Sequence, residues 1–222
     1  ILSSRNFHSI DFTNEIGYML EINKLFSNSL NMVLNYSFAL HHLDGVDDPK
    51  MFSFFTEKEI LELEDYWPYQ QYSIDFSNSS KNGNLFYKIG YDYYNEITSL
   101  KTIKTKTIPM LFSYNFDTGN SMTFYIESQN KESSSESSEE EHDYLYFSPT
   151  YNHYGKWTLS VFYDYEVHNE AVNGYDFTFN YKESQFSIFL GSQKGGLVCA
   201  NGSCILQPDF KDGVKVSYLT NF

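Results

Sequence analysis

The sequence predicts an all-β fold, an antiparallel transmembrane β-barrel with about 12 strands, either whole or part of a larger barrel. Three observations predict it. Apolar and polar residues alternate along nearly every extended stretch. Those stretches run roughly 9–13 residues, the length a tilted strand needs to cross a bilayer, where soluble strands average about 5–6. Short and long connections alternate along the chain, as they do in outer-membrane barrels. Side chains in a strand point to opposite faces with period two, so each stretch has one apolar and one mostly polar face.

The elements follow in order. Residues 15–26 place Ile16, Tyr18, Leu20 and Ile22 on one face, and 30–42 place Leu30, Met32, Leu34, Tyr36, Phe38 and Leu40 there. Residues 72–80 contribute Tyr72, Ile74 and Phe76, and 84–97 contribute Leu85, Tyr87, Ile89, Tyr91 and Tyr93. Residues 107–117 and 121–130 continue with Ile108, Met110, Phe112, Tyr114 and Phe116, then Met122, Phe124 and Ile126. Residues 143–151 alternate less cleanly, with Leu145, Phe147 and Tyr151 sharing a face with Pro149. The pattern is clearest over 156–168, where Trp157, Leu159, Val161, Tyr163, Tyr165 and Val167 oppose Thr158, Ser160, Phe162, Asp164, Glu166 and His168. Residues 174–182 and 186–193 repeat it. The last strand, 213–222, sets Val214, Val216, Tyr218, Thr220 and Phe222 against Lys215, Ser217, Leu219 and Asn221.

These are eleven strands, and bacterial single-chain barrels normally have an even number. Residues 1–10 alternate poorly, so either they supply a twelfth strand or further strands lie upstream of Ile1. The tight connections fall near 27–28, 81–83, 117–120, 153–155 and 183–184. The longer ones are 43–71, 98–106, 131–142, 169–173 and 194–212. This order predicts a periplasmic C-terminus and extracellular long loops. The longest loop carries a capping-box pattern, Thr56-Glu57-Lys58-Glu59 before Ile60, Leu61 and Leu63, which predicts a helix. Residues 131–142 are acidic and low in complexity, and predict a solvated extracellular loop.

Composition narrows the function. The chain has 222 residues with 20 Tyr and 20 Phe, yet only 41% hydrophobic residues, which suits one-sided strands and aromatic girdles. Its net charge is −14 and its only arginine is Arg5, so nucleic acid is not an expected partner. No run of 18 apolar residues exists, so no transmembrane helix is expected.

On the barrel reading, Glu21, Lys88, Asp92, Glu96, Glu127, Asp164, Glu166, His168, Asp176 and Lys182 line the lumen. Val214, Val216, Tyr218 and Phe222 form the alternating signal that barrel-assembly machinery reads. No catalytic role is expected. Asp164 and Glu166 are wet neighbours on one face, and Ser160 and His168 lie eight residues apart along one strand, beyond hydrogen-bond reach. Neither GxSxG, HExxH nor a P-loop occurs, and no metal or cofactor is expected. Cys199 and Cys204 flank Ala-Asn-Gly-Ser, a spacing that favours a disulfide over free thiols or a metal site. A disulfide implies an oxidising compartment.

The segment Gly191-Ser192-Gln193-Lys194-Gly195-Gly196-Leu197-Val198-Cys199-Ala200-Asn201-Gly202-Ser203-Cys204, followed by Pro208, Phe210 and a strand ending in Phe222, resembles the C-terminal hairpin of a family of uncharacterised Bacteroidota outer-membrane β-barrel proteins. In that family a Gln-Arg-Gly-Gly-Leu segment leads into Cys-x4-Cys. Here Lys194 stands for the usual Arg, and Ile205-Leu206-Gln207 for a more typical Arg-Tyr-Val, which argues against an anion-binding loop. The match covers about 30 residues. It implies a barrel in the bacterial outer membrane, with lipid, the barrel-assembly machinery and other envelope proteins as partners, and it carries no catalytic residues. The expected function is a porin-like or transport barrel, or an envelope-complex subunit, with a polar lumen. The alternatives are a non-conducting docking barrel, a barrel enzyme and a soluble secreted β-sandwich adhesin.

Overall fold

Hydrogen bonding between strands organises nearly all of the described residues. The structure, a computed structural model, describes residues 15–26, 29–42, 66–97, 101–116, 119–135, 138–167, 171–200, 203–207 and 209–220. They form β1 (Glu15–Leu25), β2 (Asn31–His42), β3 (Tyr66–Ser79), β4 (Leu85–Ile97), β5 (Thr102–Asn115), β6 (Asn120–Ser134) and β7 (Glu139–His153). These are followed by β8 (Trp157–Glu166), β9 (Val172–Tyr181), β10 (Ser184–Gln193), β11 (Gly196–Ala200), β12 (Ser203–Gln207) and β13 (Phe210–Thr220).

The fold is all-β. Eleven strands make one antiparallel sheet in the order β1 through β10 and then β13, while β11 and β12 pair only with each other as a small separate hairpin. The sheet is a meander, and β1 and β13 are its two edges. All eleven strands expected from alternation are present. The β11–β12 hairpin lies inside the stretch 194–212 that the sequence predicts as loop; five-residue strands are too short to display a clear period.

Strands run into three further expected loops. Of residues 131–142, predicted as a solvated acidic loop, 131–134 and 139–142 are the paired ends of β6 and β7. Cross-strand bonds hold this charged end. Lys106 Nζ meets Glu132 Oε1 at 2.9 Å, and Asn130 Nδ2 donates to Glu141 Oε1 at 2.8 Å and to Asp143 Oδ1 at 3.0 Å. Ser135 and Ser138 then close the turn through the Ser135 N to Ser138 O bond of 2.8 Å. Likewise β5 begins at Thr102 within the expected loop 98–106, and β3 begins at Tyr66 within 43–71. The alternation of loop lengths is therefore weaker than the sequence suggests, because at one end of the sheet the strands themselves run on. The predicted helix after Thr56 lies outside the described residues.

Prolines and glycines shape the sheet. Proline removes a ladder donor, and the β4–β5 register skips Pro109 while the β7–β8 register skips Pro149. Gly191, at φ +118°, sits at the bulge where the β10–β13 register shifts. Gly174 of β9 lets Phe162 of β8 and Phe189 of β10 stack across it with ring centroids 5.6 Å apart. Strands two apart are separated by about 9.5 Å, so the two rings lean toward each other over the middle strand, in the space that Gly174 leaves open. A Cβ at Gly174 would lie 2.6 Å from Phe162 and 2.7 Å from Phe189. Gly174→Val is therefore expected to destabilise the fold by about 1–3 kcal/mol through overpacking. Thermal unfolding followed by circular dichroism checks this; an unchanged midpoint would show that the rings do not depend on the gap.

Candidate functional site

Register assigns every sheet residue to one of two faces, and the faces are inverted relative to a soluble protein. On one face the side chains are apolar and exposed: Leu159 is 42% exposed, Tyr175 51% and Val216 58%. On the other they are polar and buried: Thr107 and Glu127 are 0% exposed and Asp164 1%. Soluble proteins do the reverse.

The apolar face is banded. Leu85, Tyr87, Ile89, Tyr91 and Tyr93 span nine residues of β4 on this side. Tyr114, Tyr151, Trp157, Tyr181 and Tyr218 lie on it toward the tight turns, and Tyr72, Tyr93, Tyr163 and Tyr165 toward the other end. Aliphatic residues such as Ile126, Val161 and Ile188 occupy the middle. Beyond the second aromatic row, the same face of β5–β7 becomes charged, with Lys104, Lys106, Glu132, Glu141 and Asp143.

The polar face holds most of the residues expected there. Glu21, Lys88, Asp92, Glu96, Glu127, Asp164, Glu166 and Asp176 all point to it by register. Lys88 Nζ pairs with Asp75 Oδ2 at 3.0 Å, and Asp92 accepts from Gln71 Nε2 at 2.8 Å. Glu96 accepts from the Tyr94 hydroxyl, and Glu127 from the Tyr125 hydroxyl. Asp176 accepts from Thr178 Oγ1 at 3.0 Å. Lys182 is not among them. It occupies the two-residue β9–β10 turn with φ +51°, exposed, its ammonium 5.5 Å from the Tyr181 ring centroid. The expected strand overran the turn by one residue. His168 and Phe222 lie outside the described residues.

A second cluster was not assembled by sequence reasoning. Lys194, just after β10, reaches Glu166 Oε2 at 3.0 Å and Asp164 Oδ1 at 3.6 Å, and lies over the Tyr144 ring at 5.5 Å. His142 Nδ1 is 3.0 Å from the other oxygen of Glu166. Residues 142, 144, 164 and 166 come together because β7 and β8 pair in register, with Tyr144 opposite Glu166 and Tyr146 opposite Asp164. Lys194 then ties the β10–β13 connection to that wall. Asp75 was legible, since it alternates with Ile74 and Phe76; the hairpin resemblance singled out Lys194, but nothing local marked Asp164 and Glu166 as its partners.

A cavity of about 350 Å³ lies beside the Lys88–Asp75 pair, lined by Ser73, Asp75, Lys88, Asp92, Leu111 and Tyr125 among others. Among the described residues, no group of three or more His, Cys, Asp and Glu is placed to hold a metal ion. The Cys199 and Cys204 backbones stand directly opposite each other across the β11–β12 hairpin.

A model for a family of unknown function, DUF6029, matches residues 4–222. The chain belongs to the DUF6029 family. No curated protein and no solved structure matches it. For this DUF6029 member, the site must therefore be read from its own geometry. The match includes the C-terminal hairpin, and the family's description carries neither a membrane nor a Bacteroidota assignment.

Breaking the Lys194 cluster tests its weight. Lys194→Met removes one ammonium group from Asp164 and Glu166 and is expected to cost about 1.5–3 kcal/mol. Adding Asp164→Asn is expected to recover part of that loss. Equilibrium unfolding of the single and double variants checks it, and strictly additive losses would refute the coupling.

Proposed function

We propose that this chain forms wall strands of an integral β-barrel of the bacterial outer membrane, porin-like or of transport type, with a polar water-facing lumen. The single observation that carries the reading is the inverted burial: apolar rows outside, buried carboxylates and hydroxyls inside. Exposed apolar side chains gain about 1.5–3 kcal/mol each on leaving water, so a surface this apolar calls for a nonaqueous neighbour. Nine-residue apolar runs bounded by aromatic rows match the thickness and girdles of such barrels. The charged ends of β5–β7 then stand clear of the bilayer on the extracellular side, and β13 runs down toward a periplasmic C-terminus.

The rest of the proposal follows from that placement. Lipid covers the outer face. Val214, Val216 and Tyr218, all exposed on the edge strand β13, form with Phe222 the signal that the assembly machinery recognises. Directly opposed cross-strand residues lie about 4.5–5.5 Å apart at Cα, within the range a disulfide spans, so Cys199 and Cys204 close the hairpin covalently in an oxidising compartment. Catalysis is not part of the proposal.

A docking or envelope-subunit barrel is the second reading, and one observation favours it. Phe162, Phe189 and Phe210 form an aromatic cluster on the polar face, with Phe189 and Phe210 at 5.8 Å, where an open channel would favour small or charged side chains. Conductance of the purified protein in planar bilayers separates the two.

The membrane placement has a depth test. Ile126→Arg, in the middle of the apolar band, is expected to lose about 2–4 kcal/mol in folding into lipid vesicles, while Glu132→Arg, on the same strand face beyond the band, loses less than about 1. Equal effects at both positions would exclude a bilayer around this face.

A further inference from the structure

The carboxylates of the polar face are not scattered over it. Along the cross-strand register from β1 to β8, Glu21, Asp92 and Glu166 fall on one row that runs perpendicular to the strands. Only neutral polar residues stand between them. Asn35 and Ser73 lie on one side of Asp92, and Thr107, Gln129 and Tyr144 on the other. Neighbours on the row bond to each other, Asn35 Nδ2 to Ser73 Oγ at 3.4 Å and Gln129 Nε2 to Thr107 Oγ1 at 3.0 Å. Asp75, Glu127 and Asp164 fall on the adjacent row, one step nearer the tight turns. There Gly90 stands opposite Asp75, and a Cβ on it would lie 2.3 Å from Asp75 Oδ1, so the missing side chain leaves the carboxylate its space.

Among the described residues, no lysine or arginine occupies either row between β1 and β8. The lysines that reach them come from outside. Lys88 stands one row nearer the tight turns, Lys131 one row nearer the charged end, and Lys194 enters from the connection after β10. The carboxylates of the two rows therefore outnumber the ammonium groups beside them.

Strand tilt turns these rows into a track. Strands of a membrane barrel tilt by about 35–45°, so a row perpendicular to them climbs along the lumen instead of circling it at one height. From the strand spacing, successive carboxylates stand roughly 8–12 Å apart at the backbone, close to the Debye length of about 10 Å at 0.1 M salt. Their potentials overlap, and the low-dielectric apolar exterior focuses that field into the lumen. A cation on this track meets carboxylate, hydroxyl and amide oxygens that stand in for its hydration shell, while an anion meets repulsion along the same path.

We propose that these two rows make the lumen cation-selective, so that the solutes it passes are small cations in preference to anions. The proposal deepens the porin-like reading and rests on it.

Reversal potentials of the purified protein in planar bilayers, measured under KCl gradients, test it. The expected permeability ratio of K⁺ over Cl⁻ is above about 5 near 0.1 M KCl and falls below about 2 near 1 M, where the Debye length shrinks to about 3 Å. Asp92→Asn combined with Glu21→Gln is expected to lower the low-salt ratio at least about twofold. Glu141→Gln, on the exposed outward face beyond the aromatic row, is expected to leave it unchanged. A ratio of one or less in the unaltered protein, a ratio indifferent to salt, or an effect of Glu141→Gln as large as that of the double variant would each overturn the proposal. The salt series needs no variant, so it decides the matter even where the double variant does not fold. A protein that inserts but never conducts overturns the porin-like reading and the selectivity with it, whereas one that conducts without preferring K⁺ overturns the selectivity alone.

Discussion

The ladder of backbone hydrogen bonds that runs from β1 to β13 is the constraint on which everything else in this protein depends. It sets register, and register sets which side chains share a face. A slip of one residue in any strand would exchange its two faces. Slipping β6 would bring Ile126 among the buried carboxylates and carry Glu127 to the apolar side. Because each strand has one strongly apolar and one polar face, only registers that differ by an even number of residues satisfy both.

The polar face is consequently a bonded surface rather than a loose collection of charges. Its carboxylates are held by different kinds of donor: Asp75 by Lys88, Asp92 by Gln71, Glu127 by Tyr125, and Asp164 with Glu166 by Lys194. Tyr125 sits two residues from its acceptor on the same strand, while Lys88 and Gln71 lie diagonally across from theirs on the neighbouring strand. Others, such as Lys194, come from a connection and brace the sheet across strands. The aromatic rings over Gly174 lean together on the same face. Curvature buries the polar residues, and burial makes their hydrogen bonds obligatory. The mutual dependence of curl and network explains how so polar a face can be an interior.

Much of this was legible in the chain. Glu21, Asp92, Glu127, Asp164 and Asp176 could be assigned to one face by counting residues from their aromatic neighbours, since the period of a strand is fixed by backbone geometry. Lys182 was misassigned because alternation does not announce where a strand stops and a left-handed turn residue begins. Residues 131–142 were misread for a related reason. Glu139, Glu140 and Glu141 are exposed, as their composition suggests, but a run of Glu and Ser does not show the pairing between β6 and β7 that makes these residues strand.

The amino-acid sequence alone determined the all-β class, the eleven sheet strands and the chemical identity of each strand face. These follow from local periodicity, which a strand carries without reference to its neighbours. Tertiary structure decided which face is buried, where the strands end, which donor meets which carboxylate, and that the two edges run in the same direction. Those depend on pairing and curvature between segments far apart in the chain, and no local pattern encodes them.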